Sequence, residues 1–158
     1  MTEFVNPKDN AKPLGAYSHS VRVPPNAEWL VISGQVGLDA KGKLQPTVRK
    51  QAEQAFRNVL NCLKANGMAK KHLVKFTVFL TDPRSIGDYR AARKRVIGDA
   101  TLPASTLLIV DGLASPDMLI EIEATAQDPA GPSSPPGVTK QYMVNRYGLF
   151  NVIVTSVS

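Results

Sequence analysis

Between residues 47 and 80 the hydrophobic period switches from that of a helix to that of a strand, and few architectures accommodate the switch. Val48, Ala52, Ala55, Phe56, Val59, Leu60 and Leu63 recur at spacings of three and four, which gathers them on one helical stripe. Asn66-Gly67 fits a C-terminal cap, so the spacing predicts a helix over roughly 47–66. Leu73 to Leu80 then alternates: Val74, Phe76, Val78 and Leu80 share one face, and Leu73, Lys75, Thr77 and Phe79 share the other. An amphipathic helix followed closely by a strand with one strongly apolar face calls for a helix layer packed on a sheet.

The remaining segments extend this pattern. Residues 1–14 carry Pro7 and Pro13 without periodicity and are expected to be irregular. Tyr17 to Val23 reads as a short strand, Pro24-Pro25-Asn26 as a turn, and Trp29 to Ile32 as a second strand ending at Ser33-Gly34. That sequence suggests a hairpin. Gly37 to Pro46 is loop-like. Asp82-Pro83 should start a second helix, with Ile86, Tyr89, Val96 and Ile97 as its stripe, Arg93 interrupting the stripe and Gly98 ending the helix. Thr106 to Val110 reads as a buried strand. Leu119 to Ala126 alternates, with Ile120, Ile122 and Ala124 inward and Glu121, Glu123 and Thr125 opposite. The order strand, strand, helix, strand, helix, strand, strand predicts an α+β sandwich with two helices on one face of the sheet. Phe79, Leu107, Ile109 and Leu119 would leave the other face apolar, which predicts self-association.

Composition narrows the chemistry. The length of 158 residues suits one domain, and 43% hydrophobic with 20% charged residues is ordinary for a globular chain. A single cysteine, Cys62, excludes an intramolecular disulfide and a cysteine metal cluster. It falls beside the apolar stripe and is expected to be core filler. Two histidines exclude an all-histidine zinc site within one chain, so no metal is expected. No apolar run approaches the roughly 20 residues of a membrane span, and Met1 to Pro7 lacks the design of a secretory signal, so a cytoplasmic location is expected. The segment 128–137 holds four prolines and two glycines and reads as a linker between a domain over 1–127 and a C-terminal extension over 138–158, with Phe150 to Val157 β-prone. The net charge is +6, and Arg84, Arg90, Arg93, Lys94 and Arg95 cluster on the second helix. Tyr89 is the only aromatic interleaved with them, so the run is expected to be a solvated basic face and nucleic acid is disfavoured as a partner.

Several strings fall in order along the chain: Gly15-Ala16-Tyr17-Ser18, Ile32-Ser33-Gly34-Gln35, VKFTVFLTD over 74–82, Leu102-Pro103-Ala104, and Ile120-Glu121-Ile122-Glu123-Ala124. Together, over roughly residues 5–127, they resemble the RidA/YjgF family, whose older labels are endoribonuclease L-PSP and translation initiation inhibitor. The resemblance implies a chorismate-mutase-like α+β fold and a homotrimer whose sheets pack in the centre, with ligand clefts between subunits. It implies hydrolysis of reactive enamines and imines, such as 2-aminoacrylate, to a 2-oxo acid and ammonia, with no cofactor.

The resemblance also assigns residues. Glu121 would position the attacking water, Tyr17 would complete the pocket, and backbone groups near Gly34 would line it. The family's carboxylate-binding arginine falls at Ser105, and the small or cysteine position beyond it falls at Leu107. A serine supplies neither positive charge nor a forked pair of donors, and that loss should cost roughly 2–5 kcal/mol of carboxylate binding. Weak 2-aminoacrylate turnover is therefore expected. His19, two residues from Tyr17, is a candidate substitute cation or proton carrier, whereas His72, among lysines, reads as a surface residue. Ser105 has no nucleophile elbow around it. Glu121 and Glu123 share a strand face about 6.6 Å apart, a spacing also open to plain solvation. Two alternatives stand beside the hydrolase: a metabolite-binding sensor without chemistry, and an RNA-directed activity.

Overall fold

The computed structural model describes residues 1–100, 102–129, 139–145 and 148–154. Its main sheet has four strands: β3 (Glu28–Val36), β4 (Leu73–Leu80), β5 (Ala104–Ile109) and β6 (Ile120–Asp128), in the spatial order β3-β6-β4-β5. β6 runs antiparallel to both β3 and β4, while β5 lies parallel to β4. Parallel neighbours need a crossover, and α2 (Ile86–Val96) provides it; α1 (Val48–Ala65) connects β3 to β4.

The helical period decides how α1 packs. Its stripe buries Ala52, Ala55, Phe56, Val59 and Leu63 completely against the inward residues Phe76, Val78, Leu80, Ile120 and Ile122. Phe56 sits where the elements meet, edge-on to Phe76 at 5.5 Å and stacked on Tyr89 of α2 at 6.0 Å between ring centroids. Cys62 packs partly buried against this core. Thr47 caps the helix, its side chain accepting from Lys50 N at 3.3 Å. At the other end Met68 N donates to Leu63 O and Gly67 N to Lys64 O, and Gly67 takes a φ of 70° that disfavours other residues. The Asp82-Pro83 start opens with a single 3-10 turn over Pro83–Ser85, where Asp82 accepts from Arg84 N, and α2 proper begins at Ile86. The Arg84 side chain beside Asp82 holds that carboxyl below its usual range.

Three expectations are corrected. The hairpin between the first two expected strands does not form. Its first member shortens to β2 (Ser20–Arg22), which pairs antiparallel with β1 (Glu3–Val5), inside the segment expected to be irregular. The pairing is reinforced by Arg22–Glu3 at 3.5 Å and by His19 N donating to Asn6 Oδ1 at 2.8 Å. Local propensity marks a strand but not its partner. Second, Ser33-Gly34 does not end a strand. It lies inside β3, where the register against β6 slips between Ile32 and Gln35, so the glycine signals a bulge.

Third, the uncovered face has a different composition. Leu107 alternates onto the helix side and packs against the core, and Ile109, at the end of β5, has the same parity. Leu108 takes the open face beside Phe79, with which it is in register. Trp29 and Val31 of β3 lie further along this face and are 55% and 79% exposed in the single chain. The apolar surface is therefore real, built by Trp29, Val31, Phe79 and Leu108.

β6 continues through Asp128, paired with Glu28, so the expected linker begins inside the last residue of a strand. Most of that linker, 130–137, lies outside the described residues, as do 155–158. Within the expected C-terminal extension, β7 (Thr139–Asn145) and β8 (Gly148–Val154) pair antiparallel with each other.

Candidate functional site

The sequence-predicted site residues fall on two opposite faces of the sheet. The first group gathers on the helix side. Alternation along β5 points Ser105 and Leu107 toward α2, and the segment Leu14–Tyr17 closes over them to form a cavity of about 470 Å³. Ser18 anchors that segment: it is buried, forms a bridge with Ala104, and donates its N–H to Pro103 O at 3.4 Å. The strings Gly-Ala-Tyr-Ser and Leu-Pro-Ala thus meet in space. Tyr17 is held by Leu14 N donating to its hydroxyl at 3.3 Å.

The opposite wall of the cavity is helix α2. Tyr89, Arg90, Arg93 and Lys94 line it, spaced so that successive turns present them to the same opening. The Tyr89 phenol is hydrogen-bonded to Ser105; burial pushes its pKa up, opposed by that bond and by the nearby Arg93 and Arg90 charges, so it stays protonated at neutral pH. Arg93 is almost wholly buried, with Nη1 donating to Gly98 O at 3.4 Å. Burial pulls its pKa down while Tyr89 and Asp99 favour the charged form.

The expected solvated basic face holds for four of the five cations, since Arg84, Arg90, Lys94 and Arg95 are exposed, and fails for Arg93, which is buried. Arg95 pairs with Glu53 at 3.7 Å, Arg84 with Asp82 at 2.7 Å and Lys94 with Asp99 at 3.9 Å, while Arg93 is buried and Arg90 faces the cavity. The charges are dispersed rather than arrayed along one groove. The interruption of the apolar stripe at Arg93 was the available signal for a polar cavity there.

The second group lies on the open face. Glu121 of β6 rests against Gly34 in the β3 bulge: a Cβ at position 34 would fall 1.6 Å from Glu121 Oε1 and 2.6 Å from its carboxyl carbon. Only a residue without a side chain lets the carboxylate lie there. A shallow depression beside it is lined by Ser33, Gly34, Lys75, Thr77 and Glu123. Lys75 donates to Thr106 Oγ1, and burial lowers its pKa. Glu121 and Glu123 share this face, as their alternation requires.

His19 joins neither group. Its ring is edge-on to Tyr17 at 6.0 Å, but Nε2 engages Ala11 O at 2.9 Å, outside the cavity lining. His72 accepts from Ala69 N through Nδ1 ahead of β4. Sequence reasoning missed Gln51. Its buried side chain donates to Gln45 O and Asp117 O and accepts from Leu119 N, tying α1 to the loop before β6. Nothing but its place on the inward helix stripe could have signalled it. Among the described residues, no group of three or more His, Cys, Asp or Glu side chains could hold a metal ion, and no helix is long and apolar enough to cross a membrane.

Among the described residues, a mixed four-stranded sheet with two helices on one face and exposed apolar side chains on the other fits the chorismate-mutase-like α+β class. Within it, residues 8–128 match the endoribonuclease L-PSP family, and the chain belongs to this RidA/YjgF family. It is 37% identical over 115 residues to the mouse (Mus musculus) 2-iminobutanoate/2-iminopropanoate deaminase, covering 72% of this chain and 82% of that protein. The conserved Rid-family protein YyfB of Yersinia pestis superposes with a TM-score of 0.71 at 27% identity, over 79% of this chain and 97% of that one. The TdcF protein of E. coli, solved with bound serine, gives a TM-score of 0.60 at 25% identity, over 78% and 97%.

Proposed function

We propose that the chain is a hydrolase of small reactive enamines or imines, acting as a homotrimer with its reaction site in clefts between copies. Family membership and the mouse deaminase support the reaction class. The observation that carries the architecture is the division of the site. Tyr17, Ser105 and Leu107 lie on the helix side, and Glu121 with Gly34 on the open face, so one copy alone cannot present both groups to one small molecule. Closing the face of Trp29, Val31, Phe79 and Leu108 against other copies removes exposed apolar surface and brings the Glu121 edge of one copy to the cavity of another.

In that cleft Glu121 takes a proton from water as its oxygen attacks the imine carbon. Glu121 hands that proton to the nitrogen, the proton of the tetrahedral adduct's hydroxyl follows it, and the carbon–nitrogen bond breaks, releasing ammonia and leaving the carbonyl of a 2-oxo acid. Tyr17 supplies a hydroxyl to the bound molecule from the cavity side. The serine bound to TdcF is itself a small carboxylate, which suits a cleft of this size. Ser105 lacks the forked cation of arginine-bearing members, so 2-aminoacrylate turnover is expected to be well below theirs. A coupled assay for 2-oxo acid release tests this: slow but saturable release is expected, and turnover equal to an arginine-bearing member's contradicts the weak-activity expectation. The absence of charge at Ser105 also favours one second reading, a metabolite-binding module without chemistry, which would show saturable binding and no product at any enzyme concentration. The dispersed α2 cations weigh against an RNA-directed activity. The domain over 1–127, with 138–158 as an added extension, is part of the same proposal.

A further inference from the structure

The cavity that lost its strand arginine is still cationic. Of the charged residues lining it, Arg90, Arg93 and Lys94 are positive and Asp99 is negative, and Asp99 lies 3.9 Å from Lys94. Arg90 is exposed, while Arg93 is buried, donates to Gly98 O and has Asp99 as a charged neighbour. Both lie close enough to the Tyr89 phenol to favour its ionised form, and that phenol is bonded to Ser105. Arg90 therefore lines the same cavity as Ser105, where the family's arginine would stand, but from the α2 wall. Arg90 donates to Leu14 O at 3.5 Å, a weak contact, and makes no ion pair among the described residues.

We infer that helix α2, through Arg90, replaces strand β5 as the anion anchor, and that the cavity remains selective for a carboxylate despite Ser105. This rests on the reading of the cavity as half of the metabolite cleft. A guanidinium offers its donors as a planar fork that matches a carboxylate, and the low-dielectric walls of Leu107, Ile86 and Tyr89 strengthen the attraction. The buried Tyr89 phenol lines the same cavity. The arrangement restores charge but not the position of the missing arginine, so it accounts for anion selectivity together with reduced turnover.

The test uses the full chain with 2-oxobutanoate as the anionic probe and 2-oxobutanamide as its neutral counterpart, by titration calorimetry at low salt. Arg90→Gln is the primary variant, because Arg90 is exposed and its loss leaves the core untouched. Arg90→Gln should weaken 2-oxobutanoate about tenfold and leave 2-oxobutanamide unchanged. In a Ser105→Arg background, where the strand anchor returns, the Arg90→Gln effect should shrink to about twofold or less. No measurable binding of 2-oxobutanoate by the unaltered chain, or an affinity within twofold of it in Arg90→Gln, would overturn the inference.

Imine hydrolysis is followed separately. If Arg90→Gln loses anion affinity while neither protein releases 2-oxo acid, the hydrolase reading fails and the anchor stands. If hydrolysis proceeds and Arg90→Gln leaves KM unchanged, the anchor fails and the hydrolase reading stands.

Discussion

A methyl group at position 34 would lie 1.6 Å from Glu121 Oε1 and 2.9 Å from its Cγ, so Gly34→Ala must swing the whole Glu121 side chain aside. The carboxylate can turn toward solvent on the open face, so stability should change by no more than about 1 kcal/mol. Turnover should fall about 100-fold, the scale of a misplaced catalytic group; unchanged turnover would remove Glu121 from the chemistry. Gln51 differs in kind, because its buried amide satisfies Gln45 O, Asp117 O and Leu119 N at once. Gln51→Ala leaves these groups without their partner and should cost about 1–3 kcal/mol in denaturant unfolding, with no direct effect on binding. The site residues were legible as residue types, because Tyr17, Gly34 and Glu121 sit in distinctive strings. Their division between two faces was not legible, since it depends on which way β5 alternates and on which strand β6 borders.

At the scale of elements, α1 was readable almost to its ends because a strong apolar stripe, a capping threonine and a closing glycine all agree. Thr47→Ala removes the side-chain acceptor for Lys50 N and should lower stability by about 1 kcal/mol; a shift in the denaturation midpoint at constant slope would show it. The α2 helix was readable as an element but not as a cavity wall. Its cations form the solvated face their spacing suggests, with Arg90, Lys94 and Arg95 exposed, but Arg93 turns into the core, and that depends on the packing of neighbouring elements. The pairing of the N-terminal strands is likewise not legible in the sequence. β2 carries no mark of whether it pairs forward to β3 or back to β1, and it pairs back, with residues 3–5. The bulge in β3 was visible only as a glycine, which a strand end and a bulge use alike.

At the scale of the molecule, the bare sheet face links fold to function. Trp29, Val31, Phe79 and Leu108 expose apolar surface that a solitary chain would leave in water, on the same face as the Glu121 carboxylate. If other copies cover this face, the apolar surface is buried and the divided site is completed in the same event. Leu108→Lys places a charge in that contact and should shift the protein toward smaller species and reduce 2-oxo acid release together. The measurement that bears most directly on the account is the mass of the unaltered chain by sedimentation equilibrium at micromolar concentration. Three times the chain mass of 17.1 kDa is the expected result, and a single species of 17.1 kDa would contradict it.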